Sequence, residues 1–125
     1  MHNLYFVIVD KDNAENSKEA RREVDNILNN EWFVWEGYFS NAKADWFVIW
    51  WRWSACLWGE ESWDHYAFLW GEDDAQVITK EILDKIKKEY WDVEVFDTIE
   101  FEEYEAKDLD KSYIWQWIVI VDYHI

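Results

Sequence analysis

The sequence predicts a single α+β domain, a mostly antiparallel sheet with two helices packed on one face. Three observations lead there. Two uninterrupted apolar runs, residues 4–9 and 118–121, lie near opposite ends of the chain and read as buried strands. Two segments, one after Asn16 and one after Asp74, carry apolar residues at helical spacing. The chain of 125 residues is half apolar and has no repeat, linker or low-complexity tract, which fits one domain over residues 1–125 with one core.

The elements follow in order. Residues 4–9 (LYFVIV) predict a central strand, because a run apolar at every position needs cover on all sides. Asn16 stands three residues before Glu19, a capping-box-like helix start. Ala20, Val24, Ile27 and Leu28 then share one helical face, and Asn29 and Asn30 mark its end. Residues 32–39 and 45–51 are β-rich and separated by SNAKA, a hairpin-like connection. Residues 52–63 read as loop or short strand, and 66–69 as a further short strand. Asp73 or Asp74 is the expected cap of the second helix, with Ile78, Ile82 and Ile86 four apart and Leu83 and Tyr90 flanking them. Lys85, Lys87 and Lys88 in its last turns suit the helix dipole. Val93, Val95, Ile99 and Phe101 mark strand segments with acids interleaved, and 118–121, extended to His124, is the last strand. Each helix has one stripe to cover, so both on one face is the economical arrangement. A ferredoxin-like order is one form of it.

Charge separates the function classes. There are 28 acids against 12 bases, a net charge of −16. Residues 60–74 contribute −6 of it and residues 92–110 contribute −8. Such a field repels DNA, RNA and anionic membranes and attracts basic partners, so direct nucleic-acid or membrane binding is disfavoured. The single Cys56 rules out an intramolecular disulfide and fits a reducing interior. The first apolar run stops at Asp10 with no basic segment before it, so neither a signal peptide nor a membrane span is expected. A cytoplasmic protein is the expectation.

Twelve Trp against three Gly and no Pro is an unusual balance. Trp91 follows the second helical run, where a left-handed glycine is expected. Trp58 and Trp70 each precede a glycine, while Trp50, Trp51, Trp35 and Trp63 sit among turn-like or charged residues. One reading is that about nine of the tryptophans are UGA codons that the source reads as glycine. Trp46, Trp53 and Trp117 would then be true tryptophans. The other reading is a tryptophan-rich protein with an aromatic binding face.

Residues 45–54 (DWFVIWWRWS) resemble a pattern of small phage and mobile-element proteins. There an Asp-Trp pair leads into a strand and then Gly-Gly-Arg-Trp-Ser/Thr-Gly. Residues 121–124 (VDYH) are similar to the terminal Val-Asp-x-His of the same pattern. Trp50, Trp51 and Ala55 stand where the pattern has glycines; for the two tryptophans, recoding accounts for the departure. The resemblance implies a genetic origin and no particular activity.

Two constellations follow as candidate sites. Asp45, Trp46, Arg52, Trp53, Ser54, Asp122 and His124 form a ligand-binding or structural cluster. Asp122 and His124 share a strand face, and Arg52 would offer its guanidinium to an anion. His124 as general base is the catalytic version, and an internal ion-pair and hydrogen-bond cluster is the structural one. The second constellation is an acidic partner surface: Glu60, Glu61, Asp64, Glu72, Asp73, Asp74, Glu94, Asp97, Glu100, Glu102, Glu103 and Glu105. On an extended strand Glu94, Glu100 and Glu102 would place carboxylates at about 6.6 to 7 Å intervals on one face, near phosphate spacing. The plainer alternative is a solvated surface that keeps the chain soluble.

Asp64 and His65 with Glu60 and Glu61 make a weak cation site, and Cys56 has no evident activating base. No phosphate loop, zinc motif or nucleophile elbow is present, and no metal or cofactor is implied. The expected function is a non-enzymatic module. Its acids would occupy a basic site on a nucleic-acid-handling host protein, as a counter-defence inhibitor or nucleic-acid mimic. The alternatives are a small anionic-ligand domain or enzyme at Arg52, Asp122 and His124, and an oligomeric structural protein.

Overall fold

The structure, a computed structural model, describes residues 2–32, 46–49 and 75–124. In chain order the elements are β1 (His2–Val9), α1 (Ser17–Trp32), β2 (Trp46–Ile49), β3 (Ala75–Val77), α2 (Lys80–Glu89), β4 (Glu94–Asp97), β5 (Glu102–Glu105) and β6 (Trp117–His124). Short 3₁₀ turns occupy Lys11–Asn13, Ala106–Asp108 and Lys111–Tyr113.

The fold is α+β with a mixed, mostly antiparallel sheet. β1 lies at its centre. It pairs antiparallel with β6 from His2↔His124 to Val9↔Trp117, and parallel with β4 from Tyr5↔Glu94 to Ile8↔Asp97. β5 runs antiparallel to β4 and forms one edge of the sheet among the described residues. On the other edge β2 and β3 lie end to end along β6, opposite residues 121–124 and 117–119 respectively.

The helices lie on opposite faces of the sheet, which corrects the expectation that both pack on one. Tyr5, Val7, Val9, Val119 and Val121 join Ala20, Val24 and Leu28 of α1 in one buried cluster. Phe6, Ile8, Ile118 and Ile120 join Leu83 and Ile86 of α2 in another. Alternate residues of a strand point to opposite faces, so β1 and β6 are apolar on both and need a helix on each. A ferredoxin-like order, with both helices on one face, is therefore not the arrangement. The continuous apolar runs already contained this requirement.

Local signals set the helix starts. The Asn16 side chain accepts from the Glu19 amide at 2.9 Å, and Glu19 accepts from the Glu15 amide at 2.7 Å. These bonds satisfy donors that a helix start leaves open. The helix runs past Asn29 and Asn30 to Trp32. The second helix starts later than expected. Residues 75–77 form β3, and Thr79 rather than Asp73 or Asp74 is the cap, its hydroxyl accepting from the Ile82 amide at 3.2 Å. At ten residues α2 is too short to hold itself in water, so burial of Leu83 and Ile86, about 1.5–3 kcal/mol each, must supply its stability.

The end of α2 corrects a second expectation. It closes on Tyr90 at φ −127°, and Trp91 does not adopt the left-handed conformation. Among the described residues the non-glycine positions with positive φ are Phe101 (58°) and Trp115 (81°). No described helix is long and apolar enough to cross a membrane.

Candidate functional site: the acidic hairpin β4–β5

The second acidic stretch folds into a hairpin at the sheet edge. β4 enters the sheet on Val95 and Phe96, both buried. The chain then turns through residues 98–101 because Asp97 ends the strand. One carboxylate oxygen of Asp97 accepts from the amides of Ile99 (2.8 Å) and Glu100 (3.3 Å), an Asx-type turn. Phe101 completes the turn at positive φ, its ring packed edge-on to Phe96 with centroids 5.1 Å apart.

The other oxygen of Asp97 accepts from the hydroxyls of Tyr104 and Tyr113, each at 2.7 Å. Asp97 is 1% exposed and fastens the turn, β5 and the 111–113 segment together. Thr98 adds two bonds to the carbonyl of Ile8, from its amide at 3.1 Å and its hydroxyl at 2.7 Å. The Tyr113 hydroxyl is pushed well above the usual tyrosine range. Burial is the largest cause, followed by its bond to Asp97, the Asp97 charge, and the charges of Glu100 and Glu102.

The other acids of the hairpin lie at its surface. Glu100, Glu102, Glu103 and Glu105 are exposed, and Glu94 is half-buried. Register puts Glu94 directly across from Glu105 and Asp97 across from Glu102. Like charges so opposed are destabilising, by a few tenths of a kcal/mol up to about 1. Lys107 lies 3.5 Å from Glu105, an exposed pair of little energetic weight.

The single acidic row expected along one strand face is not formed. Glu94 is on β4, Glu100 in the turn and Glu102 on β5. Glu94 shares a face with Phe96 on the α1 side, whereas Glu102 shares one with Tyr104 on the α2 side. The reason is the turn at Asp97, which folds the segment back on itself. Charge is thus distributed over both faces and the tip of the hairpin. Asp97 leaves the surface set altogether.

The other predicted cluster is placed in part. β2 and β6 are neighbours, so Trp46 stands opposite His124 and Val48 opposite Asp122; His2 flanks His124 on the other side. The two ends of the sequence pattern therefore meet in the sheet. Asp45, Arg52, Trp53 and Ser54 lie outside the described residues. So do Glu60, Glu61, Asp64, Glu72, Asp73 and Asp74, together with Cys56 and His65.

Sequence reasoning missed Tyr104 and Tyr113 as partners of Asp97. Tyr104 interrupts a run of glutamates, and that alone hints at an inward-facing hydroxyl. Nothing local links Tyr113 to a residue sixteen positions earlier. Among the described residues no group of three or more His, Cys, Asp or Glu is arranged to hold a metal ion. The hairpin, residues 94–105, carries no basic side chain, imidazole or thiol, so its exposed carboxylates give it a net negative charge. Comparison with protein families, curated proteins and solved structures gives no match.

Proposed function

We propose that this chain is an acidic protein–protein interaction module of phage or mobile-element origin. It occupies a basic, nucleic-acid-handling site on a host protein and acts as a counter-defence inhibitor. The observation that carries this reading is the edge hairpin, with exposed Glu100, Glu102, Glu103 and Glu105 and the opposed pair Glu94↔Glu105. A basic partner would relieve that internal repulsion, and steering by a field of this sign favours fast association with it. The overall charge of −16 supports the same partner class.

The test is a titration of labelled protein against purified basic nucleic-acid-binding proteins of a bacterial host, with and without competing DNA. Binding should be displaced by DNA and weaken about tenfold or more between low and high salt. The charge-reversed variant E102K/E103K/E105K should lose it. Affinity that is indifferent to salt would overturn the reading.

A second reading draws on the pairing of β2 with β6. That register brings Trp46 and Val48 alongside His124 and Asp122, as a small anionic-ligand site completed by Arg52 would need. Ligand binding abolished by R52A and untouched by the hairpin reversal would favour it.

A further inference from the structure

The described cations of this acidic chain are not evenly placed. A cleft of about 790 Å³ opens between α2 and the segment that follows Leu109, lined by Lys80, Leu83, Asp84, Lys87, Asp110, Lys111, Ser112 and Ile114. The helical contributors fall at i, i+3, i+4 and i+7, a single stripe of α2. Its volume is in the range of small-molecule sites, about 300–1,000 Å³. Leu83 and the half-buried Ile114 supply the apolar part of the lining.

We propose that this cleft binds a small amphipathic anion, a carboxylate or phosphate carrying an apolar tail. Three ammonium groups surround the apolar surface. Lys87 is held in place by donating to the carbonyl of Leu109 at 2.6 Å, which leaves its remaining hydrogens for a ligand. Lys80 is the first residue of α2, where the helix dipole is already positive. A cation there is mildly unfavourable, and a bound anion reverses the sign of that interaction. Lys111 approaches from the opposite wall and, like Lys80, is exposed.

The two carboxylates of the cleft differ in role. Asp110 caps its own turn, accepting from the amide of Ser112 at 2.8 Å and from the Ser112 hydroxyl. Those bonds hold its carboxyl below the usual range, with Lys87 contributing. Asp84 lies between Lys80 and Lys87 on the stripe and offsets part of their charge. The lining keeps a net positive charge within a molecule of net −16. The site shares no residue with the acidic hairpin and stands or falls separately from it.

The experiment is an amide NMR titration of the full chain with octanoate. Octylammonium tests the sign of the charge and acetate tests the tail. Octanoate should give saturable shifts confined to residues 80–87 and 110–114. Octylammonium and acetate should shift them far less. K80Q/K111Q should weaken octanoate about fivefold while K80R/K111R retains it, both with unchanged spectra elsewhere. Equal response to octylammonium or acetate overturns the proposal, as do shifts dispersed over the molecule, no shifts at all, or K80Q/K111Q binding as tightly as the unaltered chain.

Discussion

Asp97 and Glu102 face each other across one rung of the β4–β5 hairpin, and their situations could hardly be more different. Asp97 is buried and accepts four hydrogen bonds from three segments of chain. Glu102 is exposed. Both belong to a stretch whose composition reads as uniform acidic surface. The difference teaches that net charge describes the field around a protein and says little about which acids generate it. An acid that ends a strand beside tyrosines is recruited into the fold, while acids on the edge strand remain outside. Those acids also suit an edge, because a charged edge resists pairing with another sheet.

The largest expected effect breaks this comparison at its buried end. D97A leaves two tyrosine hydroxyls and two turn amides without their acceptor, and each buried donor so orphaned costs about 1–3 kcal/mol. Water reaching the turn amides lowers the total. A loss of about 3 kcal/mol in denaturant unfolding is expected, with D97N losing less because its amide oxygen still accepts. A D97A variant as stable as the parent would place Asp97 among the surface acids after all.

Legibility in the sequence followed the range of the physics. The cap at Asn16, the buried stripe of α1 and the strands around residues 4–9 and 118–121 were readable because the residues that form them are neighbours in the chain. The placement of α2 on the far face was readable in principle, since β1 and β6 lack a polar face. The stripe of a single helix does not show which face of the sheet it covers. The start of α2 is ambiguous in the sequence because aspartates and a threonine compete for the cap. Pairing of β3 with β6, from Ala75↔Val119 to Val77↔Trp117, decides for Thr79. Within the hairpin, the Asp97–Tyr113 bond was illegible because nothing local encodes a contact between a strand end and a turn sixteen residues later.

A second comparison, two residues apart, carries the same lesson. Trp117 lies on β6, half-buried, with its indole N–H donating to the carbonyl of Ala14 at 2.9 Å. Trp115 is 61% exposed at φ 81°, a backbone that glycine adopts freely and a bulky residue does not. Position 115 is thus a backbone that suits glycine, whereas position 91 has no positive φ. W115G should raise stability by about 1 kcal/mol through relief of the strained backbone. Part of that gain is offset by loss of the Lys11 ammonium 5.7 Å above the Trp115 ring, about 0.5 kcal/mol at an exposed site. W115A isolates the backbone contribution, since it removes the ring and keeps the Cβ. Equal stabilities for W115G and W115A would mean that φ at this position carries no cost.

The smallest expected effect sharpens the exposed end of the hairpin. E102Q/E103Q/E105Q removes three carboxylates from the edge strand without changing side-chain size. Surface substitutions of this kind stay within about 0.5 kcal/mol. Opposing contributions set the sign. The change relieves the repulsion across Glu94↔Glu105 and Asp97↔Glu102, and it deletes the exposed Glu105–Lys107 pair. Repulsion wins, because it involves two opposed rungs and the field of a −16 chain, whereas an exposed ion pair contributes little. The triple variant should therefore be slightly more stable than the parent at low salt and indistinguishable from it at high salt, where the Debye length falls to about 3 Å. Unfolding measured at the two salt concentrations decides. A triple variant less stable at low salt would mean that the edge acids hold the hairpin together, as Asp97 does, and do not constitute a separate charged surface.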